Sequence, residues 1–225
     1  MTRCRSAISK AESPNSAVPS DATLTAWAKA CRVPVEEFLE IVNRAKSGTP
    51  EWFGPYLSAE REATSLRFWG PLVVPGLLQT EAYIRAHERS DDVVRKRLER
   101  QEALGRARVT AAIDHRVLAH AIGSPAVMAE QCSHLANLVE AEKIRLYVVP
   151  EGANIGLTGA FAVATKNGAS TLSLTTSTRD ITSTAPDMVD DNLNLFEQIL
   201  GIALGPVPSL EYVRNQEERW KEPRL

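Results

Sequence analysis

The chain has 225 residues, with 26 Lys and Arg against 28 Asp and Glu and a net charge of -2 at pH 7. Apolar residues make up 44% and charged residues 24%, which excludes a disordered chain and leaves material for one large domain with a small appendage, without disulfide or metal staples. The longest uncharged stretch, Gly152 to Thr165, is Gly- and Thr-rich and too short to span a bilayer, and MTRCRSAISK has no apolar signal-peptide core, so membrane and secreted classes are excluded.

Three cysteines, Cys4, Cys31 and Cys132, are far apart and odd in number, with no CxxC pair. The four histidines, His87, His115, His120 and His134, form no HExxH or HxH cluster. No metal site and no cofactor are expected, and a reducing cytoplasm fits best. Cys31 and Cys132 fall in helical apolar patterns, so buried, inert thiols are expected there.

In chain order, Ser6 to Glu12 reads as a brief helix closed by the breaker-rich SPNSAVPS. Ser20 or Asp21 caps a second helix to Cys31, with Leu24, Trp27, Ala28 and Cys31 on one face. Pro34 opens a third, carrying Phe38, Leu39, Ile41 and Val42. Tyr56 to Ala63 reads as helix and Ser65 to Gly70 as strand. VPGLLQT is a turn feeding a helix through Tyr83 and Ile84, and Ser90 caps a helix from Asp91 to about Arg106. Val109 to Ile113 is a strand, His115 to Ile122 a short helix, and Ser124-Pro125 opens a helix to about Glu142. Strand signals follow at Ile144 to Val149, Gly159 to Ala164, Ser170 to Thr176 and Asp180 to Ser183, with Asn167-Gly168 marking a hairpin. Pro186 to Leu204 is a helix with Met188, Leu193, Leu195, Phe196, Ile199 and Leu200 inward, and Ser209 caps a last helix to about Lys221. The expected class is α+β: a small helical N-terminal piece, then a mixed domain with a small, largely antiparallel sheet flanked by helices.

No GxSxG, P-loop or GxGxxG string is present. Asp114-His115 sits at a strand-to-helix junction, where a proton-transfer pair can face a pocket, or Asp114 can simply cap the helix. Arg97 and Arg100 are three apart on a basic helix and share a face that suits an anion, or a solvated surface laced with ion pairs. The VPGLLQT corner reads as buried structure; alternatively Gln79 and Tyr83 line a cavity there with Trp69 and Glu60. The hydroxyl-rich segment from Thr171 to Thr184 reads as the solvent face of a strand.

The strings EWFGPYLSAEREATSLRFWGPLVVPGLLQTEAYIRAH, VRKRLERQEAL, AAIDHRVLAHAIG and RLYVVPEG, in that order, resemble the C-terminal domain of unknown function of actinobacterial XRE-type helix-turn-helix regulators of the Scr1, antitoxin-like type. PGLLQT-x-x-Y followed by Arg97, Arg100 and Gln101 carries most of that resemblance, which runs from about Trp52 to Tyr212. CRSAISKAES is similar to the family's recognition helix, S-x-I-S-x-x-E, at Ser6, Ile8, Ser9 and Glu12, and VPSDATLTAWAKACRV to the helix after it. The resemblance implies a headpiece truncated at its N-terminus over residues 1–48 and an effector or partner domain over 49–225. It implies a homodimeric transcription factor that contacts DNA through Arg3, Arg5, Ser6, Ser9 and Lys10. The second domain would take a small molecule or small partner protein through Glu60, Trp69, Gln79, Tyr83, Arg97, Arg100 and His115. His115, where the family more often has Glu, and the strand LSLTTST, where an acid is common, depart from the pattern and leave room for an altered ligand function. The alternative is a family member that no longer binds DNA and acts as a ligand-binding protein. A repurposed biosynthetic enzyme would instead use His115, Asp114 and Glu60 as acid or base and Arg97 as an anion clamp.

Overall fold

The computed structural model describes residues 20–36, 38, 53–88, 90–153, 158–175 and 180–222. The chain divides into two compact units, Met1–Pro50 and Glu51–Leu225. In the first, helix α1 (Asp21–Cys31) starts where its sequence says it should, because Ser20 Oγ accepts the Thr23 N–H that has no partner inside the helix. Leu24 and Ala28 are buried, but Cys31 is exposed, which corrects the inward position expected from its spacing. The expected helix from Ser6 to Glu12 and most of the one beginning at Pro34 lie outside the described residues.

The second unit opens with α2 (Gly54–Glu62) and β1 (Ser65–Gly70), followed by a 3₁₀ turn (Gly76–Leu78), α3 (Glu81–Arg85), α4 (Asp91–Glu99) and a second 3₁₀ turn (Arg100–Gly105). Then come β2 (Arg108–Asp114), α5 (His115–Ala119), α6 (Pro125–Glu140) and β3 (Ile144–Val149). The hairpin β4 (Phe161–Lys166) and β5 (Ala169–Thr175), the strand β6 (Asp180–Ser183) and helices α7 (Pro186–Ile202) and α8 (Pro206–Lys221) complete it. Thr80, Ser90 and Ser124 each accept a backbone N–H three residues on, as their hydroxyls are placed to do at a helix start. Asn167 and Gly168 both take positive φ, 51° and 82°, the tight turn whose twist matches paired strands.

The six strands run in the order β3-β2-β1-β4-β5-β6. β1, β2 and β3 are parallel, and β4, β5 and β6 add antiparallel pairings, so the α+β expectation stands with a parallel trio inside it. Leu66, Phe68, Val109, Ala111, Leu146 and Val148 point to one face, where Tyr56, Met128, Leu135, Val213 and Trp220 cover them. Trp69, Ala112, Val149, Phe161, Val163 and Leu172 point to the other, under Val189, Phe196 and Ile199 of α7. Cys132 lies in the first core, as its apolar neighbours predict; burial, with Glu217 nearby, pushes its thiol up to about 12, so it stays protonated and inert. Ser209 is not the cap of the last helix. α8 begins at Pro206, and the buried Ser209 hydroxyl accepts from Val148 N at 2.9 Å and donates to Leu204 O at 2.9 Å, tying the helix to the end of β3.

Candidate functional site

Two regions gather the side chains singled out by the sequence. The first is a buried polar girdle around the VPGLLQT corner. Glu60 on α2 is buried and takes both Nε and Nη2 of Arg100 at 2.9 Å, a bidentate pair that consumes both carboxylate oxygens. The Arg100 guanidinium also lies 5.2 Å over the Phe53 ring. Gln79 Nε2 donates to Val74 O at 2.7 Å, and Gln101 Nε2 donates to Gln79 O at 2.6 Å. Tyr83 Oη accepts from Val74 N at 3.3 Å. Burial pushes the Tyr83 phenol up, and that of Tyr56, beside the Glu60 carboxylate, rises further, so both stay neutral.

Gln131, in the middle of α6, closes this corner. Its Oε1 accepts from Thr80 N and its Nε2 donates to Leu78 O, both at 2.8 Å, so one amide replaces a missing stretch of backbone pairing. Sequence reasoning missed it, although a Gln on the stripe of Met128, Cys132 and Leu135 was the visible signal. Arg97 lies at the rim, donating from Nη1 to His87 Nε2 at 3.0 Å. Burial first, and then the Arg97 charge, hold His87 below its ordinary value of 6.5, which keeps it a neutral acceptor.

The second region is the edge where β1, β2 and β3 end together, at Gly70, Asp114 and Val149. β2 and β3 build away from β1 on one side, and β4, antiparallel to β1, starts at this same end on the other. A Cβ on Gly70 would stand 2.7 Å from Val73 O, so only glycine allows the chain to double back this tightly. Trp69 Nε1 donates to Thr158 Oγ1 at 2.9 Å. Asp114 caps α5 through the Arg116 N–H and takes the Arg116 guanidinium on both oxygens. Burial pushes the Asp114 carboxyl up, but the Arg116 hydrogen bonds outweigh it and hold the group below its ordinary range. His115 Nδ1 is buried 3.2 Å from Asp114 Oδ1, close enough for attraction but without hydrogen-bond alignment.

The same edge carries apolar surface. Among the described residues the exposed large hydrophobics are Leu72 (72%), Val73 (44%), Ile202 (40%) and Val207 (68%). Leu72 and Val73 follow β1 directly, and Ile202 and Val207 flank the point where Leu204 N donates to Val148 O at the end of β3. All four therefore sit at one end of the sheet, with Asp114, His115 and Arg116 leaving β2 between them. The sequence hid this, because an apolar run before Pro-Gly reads as core.

A family model described as a domain of unknown function, DUF5753, matches residues 53–215. The chain belongs to that family. No curated protein and no solved structure matches it. The DUF5753 match covers both regions, so the girdle and the carboxyl edge are parts of one domain. Of the residues expected to hold a ligand, Glu60, Gln79, Tyr83, Arg97 and Arg100 come together in the girdle, and Trp69 and His115 lie at the edge. The expected DNA contacts Arg3, Arg5, Ser6, Ser9 and Lys10 lie outside the described residues. Among the described residues no group of three His, Cys, Asp or Glu could hold a metal ion, and no helix is long and apolar enough to cross a membrane.

Proposed function

We propose that this chain is an antitoxin-like transcriptional regulator whose DUF5753 domain holds a small partner protein at the carboxyl edge of its sheet, while Arg3, Arg5, Ser6, Ser9 and Lys10 contact DNA. The observation that carries the partner half is the gathering of Leu72, Val73, Ile202 and Val207 at that one edge, since exposed apolar side chains grouped together mark a recognition surface. The polar groups between them, His115 and Arg116, supply the hydrogen bonds that fix a partner's orientation. A general-base reading fares worse. Asp114 and Glu60 each spend both oxygens on a guanidinium, which leaves neither carboxylate an oxygen placed to reach a substrate. The DNA half rests on the resemblance of CRSAISKAES to a recognition helix.

The test uses the full chain, duplex DNA from upstream of its own gene, and any small protein encoded beside that gene. Salt-sensitive duplex binding that disappears in Arg5→Ala/Lys10→Ala is expected. Leu72→Ser/Val207→Ser should keep that binding and weaken the protein complex by about tenfold or more. No duplex shift for the unaltered chain overturns the regulator, and an unchanged protein affinity in the edge variant overturns the edge.

A further inference from the structure

The strands carry charge unevenly. β1 to β5 hold Arg67, Arg108, Arg145 and Lys166 but a single carboxylate, Asp114, at the far end of β2. Lys166 pairs with Glu62 and Asp114 with Arg116. Of the helical arginines, Arg85, Arg95 and Arg214 each take carboxylates. Among the described residues Arg61, Arg97 and Arg219 take no carboxylate, and neither do Arg67, Arg108 and Arg145, which differ in standing on three neighbouring strands.

Strand register brings these three together. Arg67 stands opposite Thr110, and Thr110 opposite Arg145, so the three form one row across β1, β2 and β3. Strands lie about 4.8 Å apart, which sets the outer two backbones about 10 Å apart. Arg108 is two residues before Thr110 and shares its face. Ser65 stands beside Arg108, then Thr165 and Ser170, whose hydroxyls meet at 2.9 Å. α7 covers the carboxyl half of this face, over Trp69, Ala112 and Phe161. In the amino half Arg67 and Thr110 are half-exposed and Arg108 and Arg145 exposed.

We infer that this amino half-face contacts the phosphodiester backbone of duplex DNA, as a second, sequence-blind contact beside the headpiece; the choice of DNA rests on the regulator reading above. Guanidinium forks alternating with hydroxyls are the donors that position a protein on phosphates. Among the described residues no aromatic ring is exposed in this half-face for bases to stack on, which argues against a single strand. The exposed large apolar side chains lie at the opposite end of the sheet, which argues against a docked peptide. In a chain of net charge -2, three arginines without carboxylates on one half-face make a local cationic patch.

The experiment measures affinity of the full chain for random-sequence duplex DNA across salt, from about 50 mM to about 200 mM. Removing one phosphate-binding cation lowers the log-log slope by about 0.9, so Arg67→Gln/Arg145→Gln should lower it by about 1.8. Arg67→Lys/Arg145→Lys, which keeps the charge, should retain most of the slope, and this separates removal of the cations from misfolding. An unchanged slope in the Gln pair overturns the inference and leaves the regulator standing. A slope that falls equally in the Lys and Gln pairs also overturns it. No binding by the unaltered chain at the lowest salt overturns both readings together.

Discussion

The girdle and the carboxyl edge use opposite materials for opposite ends. In the girdle, charged and amide groups are buried and bonded to one another, with Tyr56 Oη and Gln79 Oε1 left over, so the polar groups fix the VPGLLQT corner against α2 and α6. At the edge, the apolar side chains Leu72, Val73, Ile202 and Val207 face water, so the surface carries apolar area that folding has not buried. A motif that stands out in a sequence can thus be a structural lock, while the recognition surface lies a few residues away in unremarked aliphatic positions.

Substitutions separate the two. The largest loss is expected from Arg100→Ala, which leaves the Glu60 carboxylate buried and uncompensated; about 3–5 kcal/mol should disappear from the urea unfolding free energy at neutral pH. Arg100→Lys should restore only part, since an ammonium cannot make the bidentate fork. Next comes Gln131→Leu, which orphans the Thr80 N–H and the Leu78 carbonyl together. At about 1–2 kcal/mol for each of the two neutral groups left unsatisfied, the cost should reach about 2–4 kcal/mol, read as a lowered urea midpoint with an unchanged slope. A girdle variant that unfolds like the parent would mean that the corner holds its shape without these bonds.

A smaller, pH-dependent effect comes from His87 and His134, both held below 6.5, chiefly by burial. The unfolded chain takes up these protons first, so stability should decline as pH falls through 6.5 toward the folded-state values. Thermal melts between about pH 7.5 and about pH 5.5 isolate this window, because ordinary carboxylates titrate lower. His87→Gln/His134→Gln should flatten the profile, and an unflattened one would assign the slope elsewhere. The edge pair Leu72→Ser/Val207→Ser should move stability least, by about 0.5 kcal/mol or less, while changing recognition most.

Local signals were legible where a local interaction decides the outcome. Thr80, Ser90 and Ser124 announced their helices, and Asn167-Gly168 its hairpin, because cap and turn chemistry operates over three or four residues. Ser209 misled for the same reason. Pro206 starts that helix a turn earlier, and the hydroxyl is drawn to Val148, 61 residues away. The sheet order was not legible, since parallel pairing of β1 with β2 and of β2 with β3 depends on crossovers that no short pattern encodes. Gln79, Tyr83 and Glu60 could be placed near one corner, but Arg100 joins them through a contact with Glu60, 40 residues away, that no local pattern announces. The half-face of Arg67, Arg108 and Arg145 escaped notice because three separate strands each contribute one residue.

Among the described residues the strand order ends in β3 and β6, and of the outer backbone of β3 the Val148 N and O are taken by Ser209 Oγ and Leu204 N. β6 is four residues long, too brief to template another strand. β3 is longer, and it carries the exposed Arg145 with Lys143 just before it, charges that repel an incoming copy of the same edge. Arg145 therefore also stands where a charge disfavours edge-to-edge pairing of two copies, whether or not any nucleic acid is near.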